Sequence, residues 1–279
     1  MAIVFGTLAV LVPTNEGLVA AADSRTTNEF RTQFCDEEYK LMELAISPAS
    51  VGIVANNVGL LKPTNDPDFC HHMRRDPVWL DIKKVLRDYA ELEQLSAGSL
   101  SLRDIEPKLK TAYKNMPDEA FAYLRTLGPD IHEKLSSLLI VASYDKETMT
   151  SWIQHCKVLV NERFEPFVSD QKLDQINQSH ECMFYRLGEQ EYADRNLQPE
   201  GSIGRQFLKQ STLQFLTTPR PVREVDKQSA IDAAVDFIHA VSATAERVPP
   251  PSGIGGPIDV LFLGADSRPE RIQWKTVAP

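Results

Sequence analysis

Apolar residues run almost without interruption from Ala2 to Val12 and again from Gly17 to Ala22, and Pro13 to Gly17 between them supplies the residues a hairpin turn uses. Unbroken apolar runs of this length predict strands covered on both faces. A second strand pair is expected over Lys40 to Ile46 and Val51 to Ala55, divided by Ser47-Pro48-Ala49-Ser50. From Pro77 the pattern becomes helical, with Val78, Leu80, Ile82, Val85, Leu86, Tyr89, Leu92 and Leu95 interleaved with charges. A further helix is expected from Arg103 to Leu127, bent near Pro117, because proline interrupts the helical hydrogen bonds.

Strand character returns at Leu138 to Ser143, Met149 to Gln154, Val158 to Val160 and Cys182 to Leu187. Amphipathic helices follow over Ile203 to Phe215 and Lys227 to Thr244, then strands at Ile258 to Leu263 and Ile272 to Val277. An order of strands, two helices, strands, two helices and strands predicts an α+β fold. Each sheet needs both faces covered, so the expected form is a four-layer α-β-β-α sandwich with two mainly antiparallel sheets. One domain over 1–279 is expected, with 59–76 and 193–226 as insertions rich in Pro, Asn, Gln or Arg.

Composition adds exclusions. The chain is 42% apolar and 25% charged, enough for an ordinary globular core. A net charge of −9 argues against a nucleic-acid surface and against adhesion to anionic lipid. The apolar start lacks a basic leader and is broken at Pro13, a poor match to a signal peptide, and no run is long enough to span a bilayer. Cys35, Cys70, Cys156 and Cys182 are scattered without a CxxC pair, which predicts reduced thiols in a cytoplasmic protein. Cys70-His71-His72 and His155-Cys156 lack the spacing of a metal site, so neither a metal nor a cofactor is expected. Gly201 to Arg205 lacks the Gly-Lys-Ser/Thr ending of a phosphate loop and is expected to be a helix entry.

The candidate chemistry lies at Gly6-Thr7. A mid-chain threonine has no base of its own, whereas a terminal threonine carries an α-amine of pKa about 7.7–8.0 that suits proton transfer. Gly6-Thr7, the glycine at the turn, the alanine-rich second strand and Asp23-Ser24-Arg25 sixteen residues beyond the threonine resemble the start of the proteasome β-subunit family and its bacterial relatives.

That resemblance implies an N-terminal-nucleophile hydrolase fold and a threonine-type endopeptidase. Residues 1–6 would be a short propeptide, removed by self-cleavage between Gly6 and Thr7. Thr7 would be nucleophile and, through its amine, general base, while Asp23 and Lys40 lower the hydroxyl pKa. Ile46 to Asn57 resembles the strand whose following main-chain N–H stabilises the oxyanion, here that of Asn56, although asparagines stand where the family has two glycines. Helix capping by Asn56 or Asn57 is the competing role. Ser252 to Gly256 resembles the family's Ser-Gly-Gly turn, which places Ser252 among the catalytic residues, but Pro249 and Glu189 stand where the family's two auxiliary residues, an aspartate and a serine, are usual.

The implied partners are a peptide or unfolded-protein substrate, further copies of the chain in stacked homo-oligomeric rings, and an ATP-dependent unfoldase, with no nucleic acid and no membrane. Two other functions remain open: a catalytically silent scaffold or binding protein of the same fold, and an amidase acting on small molecules.

Overall fold

The structure is a computed structural model and describes residues 3–28, 33–62, 68–75, 78–92, 101–188, 204–247, 253–266 and 268–273. Its strands are β1 (Ile3–Phe5), β2 (Leu8–Thr14), β3 (Gly17–Asp23), β4 (Thr26–Asn28), β5 (Phe34–Cys35), β6 (Leu41–Leu44), β7 (Ser50–Leu61), β8 (Val78–Asp81), β9 (Ser137–Asp145), β10 (Thr150–Val160), β11 (Pro166–Ile176), β12 (Tyr185–Gly188), β13 (Ile258–Leu263) and β14 (Glu270–Gln273). The helices are α1 (Phe69–Arg75), α2 (Ile82–Leu92), α3 (Glu106–Lys114), α4 (Asp118–Thr126), α5 (Ile131–Lys134), α6 (Gln210–Thr217) and α7 (Lys227–Ala245).

Two antiparallel sheets organise these elements. One has the order β11-β10-β9-β7-β1-β4-β5, with β6 and β8 also paired to β7; the other has the order β12-β2-β3-β13-β14. Three apolar cores separate four layers, as the alternation of elements predicts. The outer faces carry α2 to α4 on the first sheet, around Leu86, Leu109, Tyr113 and Leu124, and α6 and α7 on the second, around Phe237 and Val241. Between the sheets, Leu11, Leu18 and Ala20 meet Val51, Ile53 and Ile140.

The hairpin at the start pairs Thr14 with Gly17 across Asn15 and Glu16, and every residue of β2 and β3 is buried. Pro13 lies beyond the reach of β12, which pairs only Leu8 to Leu11, so its missing N–H breaks no ladder there. Asp226 caps α7 by accepting from the Ser229 N–H at 2.8 Å.

Several boundaries differ from those the sequence suggests. Residues 3–5 do not continue into β2: they form β1 in the opposite sheet, and the chain changes sheets at Gly6 and Thr7. Val78 to Asp81 is a strand beside β7, since Leu80 and Ile82 alternate as a strand does before the helical spacing begins. The long helix divides at Met116 and Pro117 into α3 and α4. Thr150–Val160 is one continuous strand whose period is hidden by Gln154 and Lys157, and β11, mostly polar, gives no apolar run. Of segment 59–76, Gly59 to Leu61 complete β7 and Phe69–Arg75 is α1; of segment 193–226, residues 204–226 include α6. Among the described residues no helix is long and apolar enough to cross a membrane.

The thiols also differ from expectation. Cys35 and Cys70 form a disulfide joining β5 to α1, with Cα atoms 5.0 Å apart, and Cys156 and Cys182 are free. Thirty-five residues separate the pair in sequence, so spacing gives no sign of it. The inference of a cytoplasmic setting from reduced thiols loses its premise for those two residues.

Candidate active site

Gly6 and Thr7 lie at the crossing between the sheets, and both have backbone angles that favour glycine: φ is 131° at Gly6 and 144° at Thr7. For a β-branched residue such a φ is an outlier, with a cost on the order of 1–3 kcal/mol. Thr7 is fully buried, and its hydroxyl donates to the Val54 carbonyl at 3.3 Å. Its own carbonyl oxygen faces Gly188, where a Cβ would lie 1.9 Å away, so only glycine fits at that position of β12.

Asp23 ends β3 beside this junction with no exposed surface. Its Oδ1 accepts from the Leu8 N–H at 2.8 Å and from the Lys40 ammonium at 2.9 Å, and its Oδ2 accepts from the Gly255 N–H at 3.0 Å. Lys40 is 1% exposed and also donates to the Arg25 carbonyl. A cation buried to this extent is held by its carboxylate and carbonyl partners. The ammonium nitrogen lies 3.4 Å from the place a Cβ on Gly6 would occupy. Asp23, Lys40 and the Gly6-Thr7 bond therefore form one cluster.

Asn56 has a left-handed φ of 66° and an exposed side chain, and its carbonyl accepts from the Gly6 N–H at 3.2 Å. Here β7 changes partners: Ser50 to Asn56 pair with β9, and Asn57 to Leu60 pair with β1. The strand continues to Leu61, so neither asparagine caps a helix. Asn57 is a buried tie instead. It donates to the Leu135 carbonyl at 3.1 Å, accepts from the Gly59 N–H at 3.1 Å, and its carbonyl takes the Ser137 hydroxyl at 2.7 Å. Ser252, Pro249 and Glu189 lie outside the described residues.

The contacts that hold the Ser24-Arg25 segment in place were not legible in the sequence. Arg25 pairs with Asp36 through two hydrogen bonds of 2.7 and 2.9 Å, and that contact raises the arginine pKa further. Ser24 donates to the Asp36 carbonyl, while the Ser24 and Arg25 N–H groups donate to the Gly255 carbonyl. Asp36 thus fixes the segment whose carbonyl holds Lys40; in sequence it is only the first of three acids before that lysine. The one ligand-like cluster among the described residues is Cys35, Glu37 and Cys70, whose donor atoms lie within 4.8 Å. Its two sulfurs are bonded to each other, which removes the thiolates a metal needs. Two cavities of about 590 and 480 Å³ are lined respectively by residues near His132 and Phe167 and by residues near Phe184 and Phe237, and neither is lined by Thr7, Asp23 or Lys40.

The fold and the junction define an α-β-β-α sandwich with a strained glycine–threonine bond set against a buried lysine–aspartate pair. No family model matches the chain, and no curated protein does. Among solved structures it is similar to Anbu (ancestral beta-subunit) from Yersinia bercovieri, with 13% identity, TM-score 0.47, and coverage of 95% of this chain and 86% of that one. It is also similar to an Anbu Gly-1 mutant from Hyphomicrobium sp. strain MC1, with 13% identity, TM-score 0.44, and coverage of 96% and 87%. A third, from Pseudomonas aeruginosa and described as a helical assembly of the Anbu complex, has 15% identity, TM-score 0.42, and coverage of 95% and 85%.

Proposed function

We propose that the chain cleaves itself between Gly6 and Thr7 and then acts as a threonine-type endopeptidase. The observation that carries this reading is the junction itself. A buried threonine with φ 144° follows a glycine next to the Lys40 ammonium, and Asp23 holds both the lysine and the N–H of the following Leu8.

In self-cleavage the Thr7 Oγ adds to the Gly6 carbonyl carbon, the C–N bond breaks, and the hydroxyl proton passes to the departing nitrogen. Water then hydrolyses the ester, leaving a Gly6 carboxylate and a free Thr7 hydroxyl and amine. Breaking that bond frees the strained φ of Thr7. In peptide hydrolysis the new amine accepts the hydroxyl proton as Oγ attacks the substrate carbonyl, and returns it to the leaving amine. Water resolves the acyl ester. Lys40 favours the alkoxide electrostatically, Asp23 fixes it in place, and the Asn56 N–H is the oxyanion donor in this scheme. Ser252 enters through the family resemblance alone, as do assembly into stacked rings and delivery of substrate by an unfoldase.

β1 gives the substrate its mode of binding. It lies between β4 and β7, pairing Val4 and Phe5 with Asn28 and Thr27 on one side and Ile3 to Phe5 with Leu60 to Asn57 on the other. Once vacated, this slot offers main-chain groups on both edges to an extended peptide.

The same pairing favours a second reading, a silent scaffold. Ile3 and Val4 are core residues, each contributing roughly 1.5–3 kcal/mol on burial, which opposes departure of the strand. A Thr7→Ala variant separates the readings. The peptidase loses processing and peptide hydrolysis with its assembly unchanged, whereas the scaffold shows no functional change.

A further inference from the structure

Resting on the peptidase reading, we propose that the slot between β4 and β7 accepts only peptides with glycine immediately before the cleaved bond, preceded by three apolar residues. Residues 3–6 already sit there as a substrate would, and their environment sets the requirement.

The glycine requirement follows from the Gly6 backbone and from what surrounds it. Gly6 has φ 131°, a backbone conformation that L side chains rarely adopt. A Cβ added to it would lie 2.7 Å from the Arg25 carbonyl oxygen and 3.2 Å from the Gly253 carbonyl oxygen. Both are main-chain atoms and cannot rotate aside as a side chain could. The Arg25 carbonyl is further fixed, because it accepts from the buried Lys40 and its own N–H donates to Gly255 at 3.0 Å. Even alanine meets this obstruction, and a cationic side chain also meets the Lys40 ammonium.

The apolar requirement follows from burial. Ile3 is fully buried, Val4 is 3% exposed, and Phe5 packs against the same core as Leu60, Leu80 and Phe69. A charge at the Ile3 position would be buried among these side chains, where desolvation works against binding. The two ladders fix the register, through Phe5 opposite Asn57 and Thr27, so the glycine cannot slip to a roomier position without turning the apolar residues out of their places.

The test uses the full chain after its own processing, with fluorogenic peptides acetyl-Ile-Val-Phe-X-aminomethylcoumarin in which X is Gly, Ala, Leu or Arg. We expect kcat/KM to be about 100-fold higher for Gly than for any of the others, with Thr7→Ala giving the background. A second readout is intact mass: Gly6→Ala should retain residues 1–6 under conditions in which the wild-type chain loses them. Equal hydrolysis of the four peptides by a processed chain overturns this inference and leaves the peptidase reading standing. A wild-type chain that keeps residues 1–6 and hydrolyses none of them overturns the peptidase reading itself.

Discussion

The Lys40 ammonium and the Asp23 carboxylate meet at 2.9 Å with 1% and none of their side-chain surfaces exposed. Such a pair is costly to break from one side, because the remaining charge stays buried without its partner. Lys40→Met should therefore lose about 3–5 kcal/mol of stability in urea unfolding and should also stop processing. A Lys40→Met chain as stable as the wild type would show that the pair does not hold the junction.

Gly188 predicts a separate steric effect. Its φ is 90°, and a Cβ there would lie 1.9 Å from the Thr7 carbonyl oxygen. Gly188→Ala should cost about 3 kcal/mol or more, through backbone strain plus displacement of β12 from β2. Chemical denaturation measures it, and an alanine variant of unchanged midpoint contradicts the packing described here.

The cysteines give a counting experiment. Of four cysteines, two are joined and two are free, so thiol titration of the unfolded chain should give two reactive groups without reductant and four after reduction. In the folded chain Cys182 should react slowly at neutral pH, since burial pushes its thiol up to about 11. Cys35→Ser should lower stability by about 2–4 kcal/mol under oxidising conditions and have little effect under reducing ones.

His155 sets a pH dependence. Burial lowers its pKa in the folded chain, and Asp174 only partly opposes this. The unfolded chain therefore takes up the proton first as pH falls below about 6.5. Stability should decline with falling pH from that point and level off, for this group, below the folded pKa. His155→Gln should flatten the slope in this window; an unchanged slope assigns the dependence to other groups.

Much of the layered fold can be read from the sequence, because β2, β3, β13 and α7 are apolar runs or stripes of full length and the layer order follows from them. Partner exchange is harder to read. Residues 3–5 are as apolar as β2, and the change of sheet falls at Gly6 and Thr7, where the positive φ values leave no mark in the apolar pattern. β11 exposes most of its residues at a sheet edge and so has no apolar signature. Within the site, Asp23 and Lys40 are suggested only by the family resemblance, and the structure sets both beside the Gly6-Thr7 junction. The pairing of Asp36 with Arg25 and the approach of Gly188 to the Thr7 carbonyl are not legible in sequence, and the Ser252 to Gly256 turn is legible only as a motif, without the Gly255 N–H bond to Asp23, because only the folded chain places these groups.

Intact mass of the purified chain tests the strained Gly6-Thr7 junction most directly. Self-cleavage predicts a species beginning at Thr7 in the wild type and an uncut chain in Thr7→Ala. A wild-type chain that keeps residues 1–6 after prolonged incubation at neutral pH would contradict the threonine peptidase.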